Sequence, residues 1–416
     1  MNRYIVIVAL SIVAASVTVL GAAGRDVAAA SEKVLYAFTG GTDGGGPQSS
    51  LVFDSSGTLY GTTHFGGVST CGGMVGGGCG VVFSLTPGSG GWAERALYAF
   101  GDGSDGGFPN AGVILDGAGN LYGTASTGGS TACSIGCGVV YELQRGPSGW
   151  SERVLHTFVQ TDGQFPNARL LAGTGGTLYS TTWYGGSHGA GTVFALSPRS
   201  GGWTESVLYS FTGTQDGSSP AGPLVQDAAG DVYGTTYPYN GYNDGVAFAL
   251  SPRAHGAWKD RAIDTFGSGA GGEDPYAGVI ADEAGNLYGT TIEGGANGDG
   301  VVFELVRKSS RRFVEKVLHT FAGADGSAPY AGLVADSAGN LYGTTVFGGS
   351  HGYGVVYLLA RKPHGAWNER ALYSFTGGND GGYPSGEVTL GAHRSLYGAT
   401  SNGGTSGSGV VYEVTP

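Results

Sequence analysis

A five-residue core, Leu-Tyr-Gly-Thr-Thr or a close variant, returns seven times along this chain, with its tyrosine at Tyr60, Tyr122, Tyr179, Tyr233, Tyr288, Tyr342 and Tyr397. The spacings are 62, 57, 54, 55, 54 and 55 residues. A near-constant period of this length means one supersecondary unit in tandem, each copy too small to bury its own apolar face and stacked on the next.

Each period holds four short apolar runs divided by Gly, Pro, Asn and Asp, the punctuation of strands and turns. In the copy from Pro329, run A is Ala331 to Ala335, B is Asn340 to Thr345, C is Gly354 to Leu359 and D is Trp367 to Phe375. Asp336-Ser337-Ala338-Gly339 supplies a tight A–B reversal, because its Asp can accept backbone hydrogen bonds and its Gly can take positive φ. Runs C and D are apolar on both faces, so each sheet must be covered on both sides. Four-stranded antiparallel sheets stacked face to face at this period predict an all-β, seven-bladed β-propeller. The Gly of the core suits crowding near the axis, where a side chain would push neighbouring sheets apart.

The two ends are out of phase with the blades. The first run is of type D, Glu32 to Phe38, and the last of type C, Gly409 to Val414. Pairing them completes the seventh blade and removes two open sheet edges, so the ring is expected to close by an N-terminal outer strand on the C-terminal strand. Residues 31–416 then form a single domain.

Residues 1–30 have a short basic start, a long apolar run and Ala28-Ala29-Ala30 before Ser31, the pattern of a secretory signal peptide; the alternative is an uncleaved N-terminal membrane anchor. Either exports the rest, to a secreted, periplasmic or cell-surface location, and cleavage leaves no membrane span. The formal charge is -12, and charged residues make up only 12% of the chain. That balance argues against nucleic acid or an anionic lipid surface as partner. The 84 glycines keep register with the repeat, which assigns them to turns and blade contacts.

The four cysteines fall in the B–C connections of blades 1 and 2. In an exported chain they read as local disulfides, Cys71–Cys79 and Cys133–Cys137. A four-thiolate metal site is the other arrangement, disfavoured because neither pair has the two-residue spacing of zinc knuckles. Blade 3 lacks the Asp of its A–B turn at Leu171 to Gly176. Trp92, Trp150, Trp203, Trp258 and Trp367 keep register in the D runs, with Phe313 in that place in blade 5, and read as structural.

At LYGTT, the Gly-Gly pairs, GVVF and VLYSFTGG followed by Asp-Gly and Pro, the chain resembles the GloVer tandem-repeat family of exported bacterial proteins, often described as choice-of-anchor. The resemblance spans nearly all of residues 31–416 and implies an exported seven-bladed propeller. Members commonly end in a C-terminal sorting segment, which this sequence does not show at Val414-Thr415-Pro416.

In such a meander the D–A and B–C connections share one end of every sheet. The D–A loops carry Asp43, Asp105, Asp162, Asp216, Asp325 and Asp380, with Glu273-Asp274-Pro275 in blade 5. The six aspartates suggest a cation or acid/base site at the channel mouth, but six equivalent copies fit turn-capping better. The unevenly placed residues of the same end are the ligand-binding candidates: Trp183, Tyr184, His188, Tyr237, Tyr239, Tyr242, Phe347, His351 and Tyr353. Aromatic rings among polar groups suit a sugar or a peptide.

The leading functional reading is a secreted or cell-surface binding propeller, a monomer, whose partner is an extracellular glycan, peptide or protein. The alternative is an extracellular propeller hydrolase or lyase acting on a polysaccharide or lactone, drawing on Asp244, Glu273, Asp274 and Glu293 with His188 or His351 as proton carrier. A structural envelope protein is third. No catalytic residue, cofactor or metal-ligand set is assigned, although the acidic loops leave room for a structural divalent cation.

Overall fold

The computed structural model describes residues 30–67, 70–71, 74–75, 77–147, 149–238, 244–267 and 269–416. Residues 1–29, the segment read from sequence as an export signal, lie outside them, as do Tyr239 and Tyr242. Seven four-stranded antiparallel sheets form a seven-bladed β-propeller, and a two-stranded hairpin, Thr70–Cys71 with Met74–Val75, stands in the long loop of blade 1. In blade 6 the strands, innermost first, are Val334–Ala335, Leu341–Thr345, Val355–Arg361 and Trp367–Ser374, here called A to D. The N-terminal strand Ser31–Ala37 pairs with the C-terminal strand Val410–Thr415, from Ser31 opposite Thr415 to Ala37 opposite Val410. The ring is therefore closed by its two ends, as the phase of the runs requires.

Strand A is shorter than its apolar run because the start of the run serves the neighbouring blade. Thr290 Oγ1 of blade 5 donates to the Ala331 carbonyl at 3.0 Å, and Thr62, Thr124, Thr235 and Thr344 do the same to Ala111, Ala168, Ala277 and Gly386. The second Thr of the core acts inside its own blade. Thr63 Oγ1 donates to the Phe65 carbonyl and accepts from the Val81 amide, which fixes the start of the B–C loop, and Thr345 Oγ1 likewise donates to the Phe347 carbonyl.

Strand D explains its own apolar run with a bulge. In blade 6 the register shifts between Val356 and Tyr357, leaving Leu372 as the extra residue, buried at 7% exposure. The bulge lets the consecutive residues Leu372 and Tyr373 be buried and half-buried, while Ala371 stays exposed. The same shift occurs in the C–D pair of every blade.

The core is divided into seven clusters, one between each pair of neighbouring blades. In four blades the core tyrosine meets the D-strand Trp of the next blade edge to face, as in Tyr60–Trp150 and Tyr288–Trp367; Phe313 meets Tyr233 in the same way, Trp92 meets Tyr397 tilted, and Tyr342 faces the N-terminal strand, which carries no Trp. These tryptophans are structural. The core glycine has a different cause from the one its position suggests. A Cβ on Gly343 would lie 2.4 Å from the hydroxyl of Tyr357, its partner across the same sheet, so the space is taken within the blade.

Both disulfides form as the spacing indicates, Cys71–Cys79 and Cys133–Cys137. With every sulfur paired, the four-thiolate alternative is removed. Blade 7 joins blade 3 in lacking the A–B turn Asp: both replace it with a short 3-10 turn, Thr174–Gly176 and Ala392–Arg394. Among the described residues no helix is long and apolar enough to cross a membrane.

Candidate functional site

The proline of each D–A loop sets the geometry of the channel mouth. In all seven copies the residue before it has a left-handed backbone: Gly46, Phe108, Phe165, Ser219, Asp274, Ala328 and Tyr383, with φ between 52° and 61°. Six are not glycine, a conformation that costs about 1–2 kcal/mol per residue. Two inter-strand bonds offset the cost. The Ala328 amide donates to the Asp299 carbonyl of the preceding blade at 3.0 Å, and its carbonyl accepts from the Val346 amide at 3.0 Å; the other six positions repeat the pair. The proline ring then packs on the glycine that opens strand C of the preceding blade. A Cβ on Gly354 would lie 2.7 Å from Pro384 Cδ and 2.4 Å from the Thr345 carbonyl, at φ +96°. Sequence alone shows the Gly and the Pro; it does not show that they touch.

This latch delivers the two or three residues after each proline to the axis, where they line a funnel of about 600 Å³, within the usual size of small-molecule pockets, about 300–1,000 Å³. The latch is sevenfold but the lining is not. On one side stand amides and hydroxyls: Gln48, Ser49, Asn110, Asn167 and Ser385. His64 Nδ1 and Asn110 Oδ1 are 2.5 Å apart, and Asn110 Nδ2 donates to Asn167 Oδ1 at 3.2 Å and to Ser126 Oγ at 3.4 Å. Opposite them is an aromatic wall in which Trp183 meets Tyr276 at 5.9 Å and Tyr237 at 6.4 Å, and Tyr276 meets Tyr330 at 5.2 Å. Arg169 of blade 3 and Glu387 of blade 7 reach across the ring and pair at 3.2 Å, so the channel is spanned by an ion pair. Trp183 Nε1 and Ser385 Oγ are buried atoms with no hydrogen-bond partner among the described residues.

Behind the aromatic wall lies an acidic group. Burial, and then Glu293, Glu273 and Asp244, push the Asp274 carboxyl up to about 6. Burial, and then Asp274 and Glu293, raise the hydroxyls of Tyr237 and Tyr330.

The residues singled out from sequence are only partly brought together. Trp183 and Phe347 line the funnel; Tyr237 packs on Trp183, and Tyr184 lies parallel to it at 5.9 Å. Tyr353 packs on Tyr383, as does Phe347, which remains half-exposed. His188 and His351 are exposed, each sharing a 3.1 Å hydrogen bond with the adjacent Ser187 or Ser350, and they line no part of the funnel. The four carboxylates converge, but without those histidines.

The six D–A aspartates are not at the channel mouth. Asp43 accepts from the Thr39 amide and Tyr36 hydroxyl, Asp380 from the Thr376 amide and Tyr373 hydroxyl, and none of the six lines the funnel. Each caps its own loop at the outer rim, where strand D ends. Sequence reasoning missed Asn110, Asn167, Arg169, Glu387, Tyr276 and Tyr330. The signal was the variation after an invariant proline, Gln, Asn, Asn, Ala, Tyr, Tyr, Ser from blade to blade, which a search for motifs passes over.

The sequence matches the Gloeobacter/Verrucomicrobia repeat over residues 67–260 and again over 259–416. It has no match among curated proteins. Among solved structures, a candidate 6-phosphogluconolactonase of Bacteroides uniformis is similar at 13% identity and a TM-score of 0.51, with 77% of this chain and 85% of that one covered. A second such candidate, from Bacteroides fragilis, gives 14%, 0.48, 77% and 82%, and a Lactobacillus plantarum protein 13%, 0.48, 77% and 83%. At these identities the likeness is one of fold.

Proposed function

The chain belongs to the Gloeobacter/Verrucomicrobia repeat family, and on the unequal lining of its axial funnel we propose that it is an exported binding protein that takes the end of a neutral glycan. Export rests on the N-terminal segment and agrees with the two disulfides. The observation that carries the ligand class is the aromatic wall of Trp183, Tyr276 and Tyr330 facing the amides of Asn110 and Asn167. A sugar ring has an apolar face for the one and hydroxyls for the other. Trp183 Nε1 and Ser385 Oγ supply two polar atoms without partners among the described residues. Anionic ligands are disfavoured, because Arg169 is already neutralised by Glu387 and the group around Asp274 adds negative field.

Isothermal titration against neutral oligosaccharides of glucose, mannose, galactose and N-acetylglucosamine tests this reading. Binding is expected to weaken at least tenfold in Trp183→Ala and in Asn110→Ala. Binding that survives both changes places the ligand elsewhere, and no heat from any sugar sinks the reading.

One observation favours a hydrolase as the second reading: Asp274, held near 6 beside Glu293, is poised to exchange a proton close to neutral pH. Turnover of a bound oligosaccharide or lactone, abolished in Asp274→Asn while binding persists, would establish it. Failure to turn over any bound sugar leaves a binding protein.

A further inference from the structure

The outer rim repeats a second constellation that takes no part in the funnel. Between neighbouring blades, the aromatic near the end of one strand D, the Asp of the following loop and an acid from the next blade's strand D come together. Four rims carry Tyr, as in Tyr36–Asp43–Glu94 and Tyr98–Asp105–Glu152, where the hydroxyl donates to the Asp at 2.9 and 3.0 Å. Two rims carry His instead: His156–Asp162–Glu205 between blades 2 and 3, and His319–Asp325–Glu369 between blades 5 and 6.

We propose that these two rims are binding sites for divalent transition metals of the zinc class, each held by one imidazole and two carboxylates. In each, one ligand atom per residue lies within 4.8 Å of the other two. Nε2 to Oδ2 is 3.2 Å in the first and 3.0 Å in the second. Two tetrahedral ligands of a single metal at about 2.0–2.2 Å each stand about 3.3–3.6 Å apart, so the imidazole and the Asp are within a few tenths of an ångström of ligand spacing. The third ligand is supplied by an oxygen without other use: Glu205 Oε1 and Glu369 Oε1 are buried and have no hydrogen-bond partner among the described residues.

The Asp is oriented for the task. The Val159 amide donates to Asp162 Oδ1 at 2.8 Å and the Ala322 amide to Asp325 Oδ1 at 2.8 Å, which directs Oδ2 at the imidazole. Burial lowers the His319 pKa, opposed by Asp325, and so favours the neutral imidazole that a metal binds. The histidine and Asp side chains keep 19–27% exposure, enough for an ion to enter and for water to complete a fourth position. In the Tyr rims the same acids face a phenol held neutral by burial and by Asp, a poor ligand, so the structure contains its own controls.

The test uses Co²⁺, whose visible absorption reports tetrahedral nitrogen and oxygen ligation, titrated into metal-stripped protein, with Zn²⁺ followed by calorimetry. Two equivalents are expected, one in His156→Tyr or His319→Tyr, and none when both are changed. Tyr is what four equivalent rims already carry, so these variants retain the fold; an unchanged melting curve without metal verifies that. Glu205→Gln is expected to weaken the first site at least tenfold and leave the second intact. Absence of cobalt absorption in the parent protein, or binding equal in parent and double variant, overturns the proposal.

Discussion

At the scale of single residues, small differences between equivalent positions separate what the repeat requires from what it tolerates. Tyr141, Tyr357 and Tyr412 are fully buried with hydroxyls that have no hydrogen-bond partner among the described residues, while Phe83, Phe194, Phe248 and Phe303 fill the same strand-C place. Tyr357→Phe is therefore expected to stabilise the protein by about 1 kcal/mol, since it removes a buried hydroxyl that makes no bond; chemical denaturation measures this, and a loss of stability would mean that the hydroxyl has a partner. Gly354 is required on two counts, its left-handed φ and the Pro384 ring against it. Gly354→Ala should cost about 3 kcal/mol or more, from strain and overpacking together. The glycines and prolines were legible in the sequence as punctuation, but their contact across the blade boundary was not, because nothing in a linear spacing reveals which loop meets which strand.

At the scale of the blade, the outer rims make stability depend on pH. Burial, reinforced in most of them by a neighbouring Asp, pushes Glu32, Glu94, Glu152, Glu205, Glu315 and Glu369 up to about 7, and Asp260 up to about 6. The folded chain holds these protons when the unfolded chain has lost them, so their contribution is complete below about pH 4.5 and disappears as pH rises to about 7. Turn aspartates work in the opposite sense. Hydrogen bonds from their own loops outweigh burial and hold Asp54, Asp116 and Asp336 below the ordinary range, so their contribution is lost in acid, below about pH 4. The melting temperature should peak near pH 5 and fall towards pH 8. Glu94→Gln should raise it at pH 8 and leave it nearly unchanged at pH 5; the same effect at both values would show that the carboxyl does not carry the dependence. The turn aspartates are readable from Asp-x-x-Gly, whereas the pairing of Glu94 with Asp43 joins strands 51 positions apart in sequence and only the ring brings them together.

At the scale of the molecule, one sevenfold frame carries an asymmetric axis. Closure by the N-terminal strand follows from the phase of the runs, and it buries Leu35 and Phe38 against blade 1. Removing residues 31–40 should lower the melting temperature by roughly 10 °C or more, as the loss of two buried side chains and a strand implies. The seven blades, their strands and both disulfides were legible because they recur or lie close in sequence. The funnel was not, because its character comes from single, unrepeated residues that the fold gathers from all seven blades, such as Arg169 and Glu387, 218 positions apart. The measurement that bears most directly on the function is tryptophan fluorescence during titration with neutral oligosaccharides. Five of the six tryptophans sit in outer strands and only Trp183 lines the funnel. Occupation of the axis predicts a saturable change in the parent protein that disappears in Trp183→Ala. A saturable change that persists without Trp183 would contradict it.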